Sequence, residues 1–443
     1  LLAILVLGIG IVLLIPDKIK KTFAAGTCQI TIGSNNTTLR RCSSGQTLTV
    51  NELVVISRNW EMIDLETNTP NLVTINNSGT IVSKQSTANT IDNKSSTNTT
   101  INNYLGATIQ GGFKTINDIN AGLDSNLTIV NEGTIKSMNY NTSAYQNRAI
   151  ESSGNNFNLT NSGIIIAKQY GIKSGGDAFI LNNSGTIEAA SEDYAVSASG
   201  DSVEITNSGD ITVSADNYGI RSTGADTIII NSGDITAEQL GVSIEGANQT
   251  LTNSGNIYGT TKKAIVIIAD NATITNESGG LIRSGSASST TDTHLNAILV
   301  NSSAEGFNST INNYGTITAA RNTLKIGAAD VTVNNYSGGA IYNTDTDGIK
   351  AAVMVSKNNA AITNKGIISG NGSSHSIEVA DNITGTKIYV DGAPTFTGEV
   401  ELNNAAANTT VYLECNMSQD TTIEIHNKPT LNITNNLCGN DTY

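Results

Sequence analysis

The chain has 443 residues, too many for one ordinary compact core, so several domains or one elongated solenoid is expected. Aromatics make up 5% and there are only 4 prolines; that mix would read as disorder, except that Ile and Val recur at fixed spacing. The formal net charge is −14 with no basic run, which argues against a nucleic-acid partner.

The chain opens on "LLAILVLGIGIVLLI", uniformly apolar and followed by "PDKIKKTFAAG". A run this short suits a secretion signal better than a membrane span, which needs about 20 residues. Residues 1–26 are therefore expected to be a signal peptide; a retained anchor or a buried helix are the alternatives. Ala24, Ala25 and Gly26 offer a cleavage region, and no lipobox precedes Cys28. Residues 27–72 are expected to form an N-terminal cap and first coils, holding Cys28, Cys42 and Trp60. A cap answers the unpaired backbone groups at the open end of a stack.

Residues 73–371 repeat one sentence. "FILNNSGTIEAASEDYAVSASG" is followed by a near copy, "VEITNSGDITVSADNYGIRSTG". Glycines of the N-x-G-x-I element fall at Gly79, Gly133, Gly163, Gly185, Gly209, Gly233, Gly255, Gly315 and Gly366. Gly106 marks a weaker copy, and "NESGGLI" and "NYSGGAI" carry an extra residue around Gly280 and Gly339. The steps cluster near about 24 residues, the mark of a solenoid or propeller. Propeller blades are longer and richer in aromatics, so the solenoid is preferred.

Each period holds three apolar patches: Ile205 before Asn207, Ile211 after Gly209, and Ile220 after "YG". Each alternates apolar with polar, as a half-buried strand does. The expected fold is therefore all-β: a right-handed parallel β-helix with three strands per coil of about 24 residues. Ile211 then stacks on Ile187 and under Ile235, and about fifteen coils make a rod of roughly 70 Å. At the Asn-Ser-Gly corner, Gly and Asn are expected to take positive φ. The stacked Asn161, Asn183, Asn207, Asn231 and Asn253 are expected to form an amide ladder.

Tyr170, Tyr194 and Tyr218 recur at the same period and predict a column. It would either contact a ligand, such as a sugar, or cover a corner by aromatic stacking. Asp210 and Asp234 occupy equivalent places on consecutive coils and could act as an acid/base pair or hold a cation. "GDI" and "GTI" alternate, however, which reads as a solvated face. His294, His375 and His426 share no repeat register and no metal-ligand spacing. No catalytic, cofactor-binding or metal-binding residue is assigned, and no cofactor is expected. Residues 283–307, where one step lengthens, form a candidate binding loop, and Lys84–Asn98 is a similar irregularity.

From residue 372 to 443 the Asn-Ser-Gly corner is lost, while "TKIYVDG", "GEVELNN" and "TTVYLECN" still alternate. These are read as divergent coils or a C-terminal β-structure. Cys415 and Cys438 lie here, and four cysteines allow three connectivities. A rod keeps its ends apart, so local pairs Cys28 with Cys42 and Cys415 with Cys438 fit best; free buried thiols are the alternative.

The repeated "ITNSGDI" and "LTNSGNI", the early "CSSGQTLTV" and the apolar leader resemble the passenger domains of bacterial autotransporters. The resemblance implies a Gram-negative surface protein, secreted or displayed outside the outer membrane and folded as a β-helix. It also implies a translocator barrel in the outer membrane, which these residues do not include. Three functions then compete. The first is a non-enzymatic adhesin or stalk whose partners are host-cell or environmental glycans or surface proteins. The second is a self-associating layer or filament. The third is a polysaccharide lyase or hydrolase, for which Asp210, Asp234 and Lys262 are the available groups without a clear cluster.

Overall fold

The computed structural model describes residues 45–435 except 46, 53–54, 59–61, 66–71, 86, 95–96, 121–123, 138–146, 191–192, 215–216, 286–294, 302–306, 345–349, 372–374, 393, 404–407, 414–424 and 427–430. The described residues form 45 strands and no α-helix. The strands fall into three parallel sheets of 16, 14 and 15 strands. Up to Lys387–Val390 each strand pairs with the strand three places on, so the chain visits every sheet once per coil. This is a parallel β-helix, rising by one strand spacing, about 4.8 Å, per coil.

The repeat forms these strands because only the stack buries its apolar side chains. In Glu204–Asn207 of the first sheet, Glu204 and Thr206 face out while Ile205 and Asn207 are buried. Ile205 pairs in register with Leu181 below and Ile229 above. In the second sheet Ile211 pairs with Ile187 and Ile235, and in the third Ile220 pairs with Val196 and Val242. All of these are essentially fully buried, each contributing about 1.5–3 kcal/mol. Phe157 and Phe179 stack inside the same core, ring centroids 4.8 Å apart.

The buried corner asparagines form one continuous ladder. Asn161 Nδ2 donates to Asn183 Oδ1 at 2.7 Å, Asn183 to Asn207 at 2.7 Å, Asn207 to Asn231 at 2.8 Å and Asn231 to Asn253 at 2.8 Å. The same bonds extend down to Asn77 and up to Asn364. There the next coil offers Val390 in register, and Asn364 Nδ2 is buried with no partner among the described residues.

The corner glycines correct an expectation. None of the nine N-x-G-x-I glycines named above takes positive φ; in the extra-residue copies it is Gly279 and Gly338 that do. The regular glycines are required by close approach instead. A Cβ on Gly209 would run into Gly185 O, and one on Gly233 into Gly209 O. Each corner sits directly on the backbone of the corner below.

The positive φ lies elsewhere. A left-handed residue precedes most first-sheet strands, such as Asn248 before Thr250–Asn253 and Asp226 before Ile228–Asn231. Leu72, Ala178 and Ser202 break the rule; the other non-glycine residues of this column are Asn or Asp, which tolerate the conformation. Their side chains make a second, exposed ladder: Asn248 Nδ2 donates to Asp226 Oδ1 at 3.1 Å and Asn271 Nδ2 to Asn248 Oδ1 at 3.2 Å. Ala178, at φ 55°, bears the steric cost without the hydrogen bond. Ala178→Gly is therefore expected to stabilise the protein by about 1 kcal/mol, read as a higher urea midpoint. A midpoint at or below that of the wild type would reject this reading.

Beyond residue 372, strands Ile377–Val379, Lys387–Val390, Val400–Leu402 and Thr409–Leu413 continue the first and third sheets. The irregular stretch Lys84–Asn98 contains a third-sheet strand, Ile91–Asn93, paired with Ile116–Asp118. In the long step, Leu281–Ser284 and Ile298–Asn301 hold their register in the stack, while residues 286–294 and 302–306 lie outside the described residues. So do residues 1–26, Trp60, His294 and the four cysteines.

Candidate functional site

The tyrosine column stands on the outer face of the third sheet, where strand register sets its neighbours. Tyr170 lies over Arg148 of the coil below, and Tyr218 under Leu240 of the coil above. Tyr170 and Tyr194 have centroids 5.6 Å apart and tilted rings; Tyr194 and Tyr218 meet edge to face at 5.1 Å. The Arg148 guanidinium lies 5.1 Å from the Tyr170 centroid, and that of Arg221 lies 5.4 Å from Tyr194. Arginines therefore stand over two of the rings. A ligand on this face would meet guanidinium groups, ring edges and phenol oxygens more readily than open ring faces.

Charge is concentrated around the column. Glu151 forms an ion pair with Lys114, Nζ to Oε2 at 2.6 Å, and accepts from Arg148 Nη1, while Lys173 Nζ stands 3.9 Å away. Arg221 grips Glu245 of the next coil with two bonds, Nε to Oε1 at 2.8 Å and Nη2 to Oε2 at 2.7 Å. Ser243 Oγ donates to the same carboxylate at 2.8 Å. Burial pushes the Tyr170 phenol up to about 12, helped by the charge and hydrogen bond of Asp193. Burial also lowers the Lys173 ammonium, with Arg148 repelling it. Burial alone would raise Glu151 and Glu245, but their hydrogen bonds to Lys114, Arg148 and Arg221 outweigh it and hold both below the ordinary carboxylate range.

Two groups of opposite sign give a pH prediction. Glu151 and Glu245, depressed in the folded state, add stability above the unfolded carboxylate value that is lost as pH falls through their folded values. Asp118 is raised, because it is fully buried despite accepting from Asn93, Asn120 and Ser152. Its contribution runs the other way: protonation favours the fold, and the gain is lost as pH rises through its folded value. Asp118→Asn is thus expected to increase stability at pH 7 relative to wild type, with the difference shrinking toward pH 3.5 in urea titrations. A difference that grows on acidification would contradict the assignment.

The remaining candidates are dispersed. Asp210 and Asp234 are exposed register partners on the second sheet, and Asn256 Nδ2 donates to Asp234 Oδ1 at 2.7 Å. Lys262 Nζ instead bonds Gln239 Oε1 at 2.9 Å. Repeat spacing was enough to find the tyrosines; the arginines over them carry no repeat signal and come from neighbouring coils. No protein-family model, curated protein or solved structure matches the chain.

Proposed function

We propose that the chain is a non-enzymatic, exported β-helix of the bacterial surface, a stiff stalk and adhesin like the autotransporter passengers it resembles. One observation carries this reading most directly: three parallel sheets run side by side in register, the longest from Thr47–Val50 to Leu431–Asn435, with buried side chains bonding coil to coil. Such a stack builds a rod of about 70 Å that resists bending and offers long lateral faces. The face around Arg148, Tyr170, Tyr194, Tyr218 and Arg221 is the binding surface, and glycans bearing hydroxyl and carboxylate groups are its partners. Guanidinium forks and phenol edges suit those groups.

The test is a glycan array and whole-cell binding with the purified chain and an Arg221→Ala, Tyr194→Ala double variant. Saturable binding, weakened at least about tenfold in the variant, is expected, equivalent to about 1.4 kcal/mol. Binding that the variant keeps moves the site to the candidate loop of residues 283–307, tested by shortening it. Absence of binding rejects the adhesin, and release of sugar from a bound glycan restores the enzyme reading. Self-association is the second reading. It is favoured by Ile228 and Ile230, 45% and 40% exposed side by side on the first sheet. Concentration-dependent sedimentation abolished by Ile230→Thr would support it.

A further inference from the structure

One histidine comes together with acidic residues on the last coils of the third sheet. His375 immediately precedes the strand region that ends in Ile377–Val379, and its carbonyl accepts from Ala352 N at 2.9 Å. Donor atoms of His375, Glu399 and Glu401 all lie within 4.8 Å of one another. His375 Nδ1 is buried, 4.0 Å from Glu399 Oε2, beyond hydrogen-bonding distance, and has no hydrogen-bond partner among the described residues. Glu401 is only 8% exposed although it belongs to an outward row, between Glu378 and His426 in register. Glu378 accepts from Asn403 Nδ2 at 3.3 Å.

We infer that His375, Glu399 and Glu401 form a binding site for a divalent transition-metal ion of the Zn2+ type. The chemistry follows from the donors. Two carboxylates and one imidazole bring three donor atoms toward one point. The nitrogen facing them belongs to an imidazole, which serves as a ligand when neutral. An imidazole with carboxylates favours Zn2+ and its neighbours over Ca2+ and Mg2+, which prefer all-oxygen shells. Zn–N and Zn–O bonds of about 2.0–2.2 Å need donors somewhat closer than 4.8 Å. Rotation of the Glu399 side chain, 37% exposed, supplies part of that closure.

The spacing that hides this site in the sequence is the coil itself. His375 and Glu399 are 24 residues apart (399 − 375), and Glu401 and His426 are 25 apart (426 − 401). The register of the third sheet steps by 23 residues from Ile377 to Val400 (400 − 377) and by 25 from Val400 to Ile425 (425 − 400), so residues about one coil apart become neighbours without a local ligand motif. His375 and His426 still occupy different positions of the repeat, since His426 aligns with Glu401 and Glu378, so no repeat signal marks the site.

The experiment is calorimetric titration of ZnCl2 into the full chain, stripped with chelator and with any free thiol alkylated so that cysteines cannot bind. One equivalent of Zn2+ is expected to bind, unaffected by excess Mg2+, and to raise the urea midpoint. His375→Ala and, separately, Glu399→Gln are expected to weaken binding at least about tenfold, since even outer-shell partners of a metal are worth that much. His294→Ala serves as the control and is expected to keep wild-type affinity. Absence of stoichiometric binding by the wild type overturns the inference. So does wild-type affinity in both His375→Ala and Glu399→Gln. Glu399→Gln, at a more exposed position, keeps the test decisive if His375→Ala misfolds.

Discussion

Asn207→Ala is expected to destabilise the middle of the rod by about 3 kcal/mol. The Asn207 amide is fully buried and works in both directions: Oδ1 accepts from Asn183 at 2.7 Å, and Nδ2 donates to Asn231 at 2.8 Å and to Gly209 O at 3.0 Å. Its removal leaves Asn231 Oδ1 and Gly209 O without that donor, and Asn183 Nδ2 with only Gly185 O at 3.2 Å. Buried polar groups left unsatisfied cost about 1–3 kcal/mol each. Asn364→Ala is the internal comparison. Its Nδ2 has no partner among the described residues, so the change deletes an orphaned donor and forfeits acceptance from Asn335 and Gly366 N. Its cost is expected to be about half that of Asn207→Ala, and Asn248→Gly on the exposed ladder is expected to stay within about 0.5 kcal/mol. A long repeat array can lose two-state cooperativity, so the measurement is hydrogen exchange resolved by strand. Protection of Ile180–Asn183, Glu204–Asn207 and Ile228–Asn231 is expected to fall. If Asn207→Ala costs no more than Asn364→Ala, the ladder is not what holds the corner.

Gly209→Ala is expected to cost a similar amount, about 3 kcal/mol, for a different reason. A Cβ there would meet Gly185 O, with Ser184 C at 2.6 Å and Ser184 O at 2.8 Å, all of them backbone. Backbone cannot rotate away as a side chain can, so the coils would have to part locally and lengthen the hydrogen bonds of two sheets. Gly175→Ala separates this effect from the general consequences of replacing glycine. Its nearest neighbours are at 3.7 Å and it has no positive φ, so the change is expected to be neutral or slightly stabilising. Gly279→Ala tests the alternative cause: nothing among the described residues lies within 4 Å, but φ is 86°, and a penalty of about 1 kcal/mol is expected from strain alone. Urea midpoints of the three variants check the ordering. Equal losses at Gly175 and Gly209 would remove close approach as the explanation.

The rod was legible in the sequence because burial repeats with the coil. Ile187, Ile211 and Ile235 recur at one spacing since each must cover the next, and the same requirement placed Asn183 below Asn207 and Tyr194 below Tyr218. The reason for the corner glycine was not legible. A glycine in a sequence reports that a side chain is unwelcome, not whether torsion or a neighbouring backbone excludes it. The left-handed column escaped notice because it tolerates Leu72, Ala178 and Ser202 among its asparagines and aspartates, so it writes no motif.

By itself, then, the sequence determined what is periodic: the number of strands per coil, the buried columns and the amide ladder. The tertiary structure alone decided what depends on non-equivalent residues of adjacent coils. Arg148 over Tyr170, Arg221 bound to Glu245, and His375 beside Glu399 are contacts of this kind. The physical reason is that a stack brings residues about 24 positions apart to within one strand spacing, about 4.8 Å. Packing demands similar apolar residues at the inward positions of every coil, and repetition records that demand. The outward positions carry no such demand, so their chemistry varies from coil to coil and is read only once the register is known.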